Sequence, residues 1–78
     1  MPPSRIPPLK PRQVLAALQR AGFYVHHQTG SHARLFHISR ADIRVTVPIH
    51  NKDLPPTFVR GRILRQADLS EEEFLKLL

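Results

Sequence analysis

Between Pro11 and Ala21, Val14, Leu15, Ala17, Leu18 and Ala21 recur at helical spacing and leave Gln13, Gln19 and Arg20 outward. Pro11 suits a first helical turn, and Gly22 supplies the C′ position that ends it. From Phe23 the period changes to two. Phe23, Val25 and His27 alternate with Tyr24, His26 and Gln28, which predicts a strand with one wetter face. Gly30 and Ser31 suit a tight reversal, because Gly30 can take positive φ without steric cost and Ser31 can bond its own backbone. Ala33 to Ile38 predicts a second strand whose faces stay open, since either Leu35 or the pair Phe36 and Ile38 can turn to the core. After a turn at Ser39 to Asp42, Ile43, Val45 and Val47 alternate with Arg44 and Thr46 in a third strand that Pro48 ends.

The helical period returns after a polar loop, Ile49 to Pro55. A helix is expected from Pro56 or Thr57 to about Ala67, with Val59, Ile63, Leu64 and Ala67 inward and Arg62 and Arg65 outward. Gly61 inside it costs about 1 kcal/mol relative to Ala. Ser70 and Glu73 form a capping box that opens a short acidic-fronted helix, Glu71 to Leu78, docking through Phe74, Leu77 and Leu78. Residues 1–10 carry four prolines and read as an extended arm, with Ile6 and Leu9 laid against a single domain at 11–78. The fold class is therefore α+β: helix, three-stranded antiparallel sheet, helix, short C-terminal helix, with one sheet face covered and the other free to stay open.

Composition narrows the function. A chain of 78 residues has a core worth only about 3–5 kcal/mol. Cysteine is absent, which excludes disulfides and thiolate metal sites. No apolar run approaches a membrane span and the Met1-Pro2-Pro3 start lacks a signal peptide's regions, so a cytoplasmic location is the default. The net charge of +6 is uneven: residues 1–66 hold eleven Lys and Arg against Asp42 and Asp53, and residues 67–78 hold Lys76 against Asp68 and Glu71 to Glu73. A basic body with an acidic tail favours RNA, DNA or an acidic protein as partner.

Five histidines invite a metal site, but His26 and His27 as strand neighbours point to opposite faces and carboxylates are scarce near the others. For Ser-His-Asp catalysis, Ser31 is adjacent in sequence to His32 and no strained elbow or oxyanion glycine is visible, and no phosphate-binding glycine loop exists. What remains is acid–base chemistry on a substrate that brings its own nucleophile. RNA does so through its 2′-hydroxyl. His32, at the mouth of the second strand, would be the base or alternate between both proton-transfer roles. Arg34 or Lys52 would stabilise the charge of the phosphorane-like transition state, and His50 or His27 would be the second proton-transfer group. Two other classes stay open: a non-catalytic RNA-binding module with Tyr24 and Phe36 for stacking, and an interaction protein whose basic face docks an acidic partner.

The succession Leu18…Ala21-Gly22-Phe23, Gly30-Ser31-His32, Val45-Thr46-Val47-Pro48, His50, Leu54, Ile63-Leu64-Arg65-Gln66-Ala67 and Leu69-Ser70…Glu73-Phe74 resembles the HicA (YcfA-like) toxin family over about residues 6–78. Singly these motifs are weak; in this order and spacing they are specific. The resemblance implies a double-stranded-RNA-binding-domain-like fold, a metal-independent ribonuclease that cleaves mRNA without a small-molecule cofactor, and a HicB-type antitoxin protein as partner. It puts the catalytic histidine on His32 and the family's Val-Pro-x-His histidine on His50, as a supporting or RNA-contacting residue; Ser31, Arg34 and Lys52, read from the residues themselves, are expected to support the site or contact RNA beside them. The chain also departs from the family's pattern. Thr29 and His27 stand where it has basic residues, Asp68 replaces a glycine, and the run Pro56 to Arg62 is one residue longer than the usual helix start.

Overall fold

Pro11 occupies the first position of α1 (Pro11–Arg20), where its missing N–H removes no bond, and Gln13 Oε1 accepts the Lys10 N–H at 2.8 Å to close the preceding turn. The computed structural model describes residues 5–78; the expected extended run at Pro2 and Pro3 lies outside the described residues. Val14, Ala17 and Leu18 face the core. Gly22 follows as C′ with φ +100°, and a Cβ there would come within 2.8 Å of His37 Nε2, so both conformation and space require glycine.

Three antiparallel strands, β1 (Phe23–Gln28), β2 (His32–His37) and β3 (Arg44–Pro48), form a sheet of order β1-β2-β3. The open question of β2 is settled by its neighbours. Leu35 sits between Val25 and Val45, Ala33 lies opposite Val47, and all of these but the half-buried Val25 are fully buried, whereas Ile38 is 79% exposed. Leu35 and Ala33 therefore face the core, and Phe36 faces the other way.

In β1 the simple alternation fails. The register jumps between Val25 and His27, so His26 is the extra residue of a β-bulge. Beyond it His27 pairs with Arg34 and Gln28 with Ala33, which puts His27 on the open side and Gln28 on the covered side. The expectation that His26 and His27 point to opposite faces is thereby corrected: a two-residue period holds only while the ladder gains no residue. Gly30 also differs from expectation, since it does not adopt positive φ. The turn is closed by the Thr29 hydroxyl, which accepts the N–H groups of Ser31 (3.3 Å) and His32 (3.0 Å), and the Ser31 hydroxyl does not bond its own backbone.

The later helix spans the expected residues in three pieces: α2 (Pro56–Phe58), a π-helical turn at Val59–Ile63, and α3 (Leu64–Ala67). The Leu64 N–H reaches the Val59 carbonyl five residues back, which accommodates one extra residue without losing the inward row of Val59, Ile63, Leu64 and Ala67. Asp68 ends α3 in the left-handed conformation (φ 57°), and Leu69 N–H bonds back to Leu64. The Gln66 side chain accepts the Thr46 N–H at 3.0 Å on the β3 edge. Ser70 and Glu73 make the expected reciprocal cap of α4 (Glu71–Leu75), with both bonds at 3.0 Å. Phe74 is buried and Leu77 half-buried, but Leu78 remains 46% exposed and does not dock.

Ile6 and Leu9 are buried, and Leu9 pairs with Leu54 as an isolated bridge. The helices and this arm cover one face of the sheet. The architecture is the α+β, double-stranded-RNA-binding-domain-like order of helix, antiparallel meander and C-terminal helices.

Candidate functional site on the open sheet face

The uncovered face carries rows of side chains set by the register. His27, Arg34 and Thr46 align across the three strands, and Tyr24, Phe36 and Arg44 form the next row. At the near end His32 lies opposite Pro48. A hollow of about 450 Å³ is lined by His27, Thr29, His32, Arg34 and Thr46. It adjoins a second, of about 360 Å³, that shares His27, Arg34 and Thr46 and adds His26, Phe36 and Arg44. No carboxylate lines either.

His32 is exposed, and its position is set from both sides of the turn. Its N–H is held by Thr29 Oγ1, its carbonyl accepts the Thr29 N–H at 2.9 Å, and the Ser31 carbonyl accepts the Ile49 N–H at 2.7 Å. The His32 Nδ1 lies 3.0 Å from Ser31 Oγ, while Nε2 has no hydrogen-bond partner among the described residues. A hydroxyl can donate to Nδ1 or accept from it, so this contact survives either neutral tautomer and the imidazolium as well.

His37 and His50 are held differently. In His37 the Nδ1 accepts the Ser39 N–H at 3.1 Å and the Nε2–H donates to the Ala21 carbonyl at 2.9 Å, with Phe23 packed edge-on at 4.8 Å. A backbone N–H can only donate, so the Nδ1 is unprotonated and this ring is a structural clasp between α1 and β2. The His50 Nδ1 likewise accepts the Lys52 N–H at 3.2 Å. His50 lines a different hollow, of about 320 Å³, together with Lys10, Arg12, Leu15, Gln28 and Asn51. Of the residues singled out from sequence, the structure thus brings His32, Arg34 and His27 together and places Ser31 on the His32 ring. His50 sits beside α1, and Lys52 is exposed and lines none of these hollows.

Two members of the face were not anticipated as site residues. His26 stacks on Phe36 with centroids 4.0 Å apart and planes within 12°, and the Arg44 guanidinium lies 5.2 Å from the Phe36 centroid. Arg44 was legible as an outward residue of a strand, but the bulge that delivers His26 leaves only a faint trace: three consecutive polar residues after Val25. Among the described residues no group of three His, Asp or Glu side chains converges to hold a metal ion, and no helix is long and apolar enough to cross a membrane.

Comparison with the curated proteins gives no significant match. Residues 11–69, from the first residue of α1 to the residue after the Asp68 cap, match the family model for the HicA toxin of bacterial toxin-antitoxin systems. That span contains every strand, the Ser31–His32 turn and the whole open face, and the chain belongs to the HicA toxin family.

Proposed function

We propose that this HicA toxin is a metal-independent endoribonuclease that cuts mRNA by internal transesterification, with His32 as the acid–base residue. The observation that carries the reading is the state of His32: an exposed imidazole with Nε2 free, steadied by a hydroxyl that tolerates protonation, in a hollow containing Arg34 and no carboxylate. Nε2 takes the proton of a ribose 2′-hydroxyl, and the freed oxygen attacks the adjacent phosphorus. The bond to the 5′-oxygen breaks, leaving a 2′,3′-cyclic phosphate and a 5′-hydroxyl once the leaving oxygen has gained a proton. Arg34 stabilises the added charge on the non-bridging oxygens.

The leaving oxygen's proton comes from His27 in its protonated form. His27 is favoured over His50 because it lines the same hollow as His32, whereas His50 lines another and commits its Nδ1 to a backbone amide. His50 and Lys52 are left to contact RNA beyond the scissile phosphate. A HicB-type antitoxin neutralises the activity by covering the basic open face, whose Arg34 and Arg44 have no ion-pair partner among the described residues.

The test is incubation of the purified protein with single-stranded RNA in excess EDTA. Cleavage that persists and yields 2′,3′-cyclic phosphate ends supports the mechanism; complete loss of cleavage in chelator contradicts it. Retained RNA binding with no cleavage under any condition would instead favour a non-catalytic RNA-binding module.

A further inference from the structure

The bulge in β1 has two consequences on the open face. It turns His27 toward Arg34, and it adds an aromatic ring that the ladder has no place for, laid flat on Phe36. Tyr24 stands edge-on to the same Phe36 at 6.3 Å and is 46% exposed, and Arg44 covers Phe36 from 5.2 Å. Exposed aromatic rings gathered on a folded surface mark a binding surface more often than a packing accident. We propose that Tyr24, His26, Phe36 and Arg44 form a base-stacking subsite that seats one unpaired nucleobase of the single-stranded RNA whose phosphate lies at His32.

The chemistry of the patch selects this ligand. Unpaired bases stack on His, Phe and Tyr rings and on Arg guanidinium planes, and a base locked in a duplex cannot present its face to them. The outer face of the His26 ring extends the stack already begun on Phe36, and Arg44 beside it supplies a cation for the flanking phosphate. The hollow at this patch adjoins that of His32, the two sharing His27, Arg34 and Thr46 in their linings, so one strand can lie across both. From His32 to Phe36 is four residues along β2, about 14 Å, which a stacked strand spans in about four nucleotides at 3.4 Å each and a splayed strand in fewer. The subsite would make cleavage prefer unpaired RNA and set which base lies at a fixed distance from the cut.

The inference takes its substrate class from the ribonuclease reading, so its test is run on protein that cannot cleave. In a His32→Ala background, affinity is measured by fluorescence anisotropy for a short single-stranded oligoribonucleotide and for a series in which each position in turn is abasic. Adding His26→Ala is expected to weaken binding about 5- to 150-fold, and His26→Phe to restore it. At one position the abasic substitution should cause the same loss alone and abolish any further effect of His26→Ala. Affinity indifferent to His26→Ala, or lost equally for every oligonucleotide in the series, would overturn the subsite and leave RNA held by phosphate contacts alone. If the wild-type protein cleaves no RNA, the ribonuclease reading falls whatever these affinities are; if it cleaves and the affinities are indifferent, the subsite falls alone.

Discussion

Hydrogen bonding sorts three of the five histidines by what their Nδ1 atoms face. In His37 and His50 that atom meets a backbone N–H, which can only donate and so holds the ring in one tautomer. In His32 it meets the Ser31 hydroxyl, which can reverse its role. A residue that must take a proton and later give it back needs the second kind of neighbour. Ser31→Ala removes the contact but leaves the turn, because Thr29 holds the backbone. The loss of one ordinary hydrogen bond predicts a fall in kcat of about two- to twelve-fold with little change in thermal stability, read by steady-state cleavage and a melting curve. An unchanged kcat would mean that Ser31 does not orient the ring. From sequence the imidazole and its turn were visible, and the resemblance put catalysis on His32. The direction of these hydrogen bonds was not visible, because it depends on which backbone amides a fold brings to each ring.

At the scale of elements, two single-residue insertions account for most of what the periodicities missed. Spacing rules assume an uninterrupted repeat, so Phe23 and Val25 were placed correctly while His27 and Gln28, beyond the bulge, exchanged faces. In the later helix the inward row Val59, Ile63, Leu64 and Ala67 was legible and is buried as expected. The extra length at Pro56 to Arg62 was also legible, but its structural form as a π-helical turn was not. Gly61 sits in that turn with open space around its Cα. Deleting Gly61 would bring Leu64 within four residues of Val59 and leave the inward row at i, i+3, i+4 and i+7, the spacing of a regular helix face. The expected result is a folded protein with undiminished helical circular dichroism and a melting temperature equal to the parent's or higher. Loss of a cooperative transition would show that the π turn is required for packing.

For the whole molecule, the uneven charge read from sequence has a structural counterpart. The three aspartates are engaged away from the open face: Asp53 pairs with Lys10, while Asp42 and Asp68 both pair with Arg40, joining the β2–β3 turn to the end of α3. Asp68 and Asp42 raise the Arg40 guanidinium above its usual range. The Arg40 hydrogen bond in turn lowers the Asp42 carboxyl, and the Ser70 N–H and hydroxyl lower Glu73. A carboxyl whose folded value is depressed adds stability that is complete above its unfolded pKa, about 4, and is lost as pH falls through the lower folded value. The contribution of these two carboxyls should therefore be complete above about pH 5 and decline below about pH 4, with Glu73→Gln flattening that part of the acid limb in pH-dependent denaturant melts. An acid limb unchanged in Glu73→Gln would show that the α4 cap is not a source of it. These ties leave the sheet face beside His32 cationic and open to a polyanion.

Proton transfer by His32 in RNA cleavage is tested most directly by comparing wild-type protein with His32→Ala on the same single-stranded RNA in EDTA, each shown by circular dichroism to be folded. Loss of general acid–base catalysis predicts a rate about 10²- to 10⁴-fold lower for the variant with RNA affinity retained. Cleavage by His32→Ala at the wild-type rate would contradict the account.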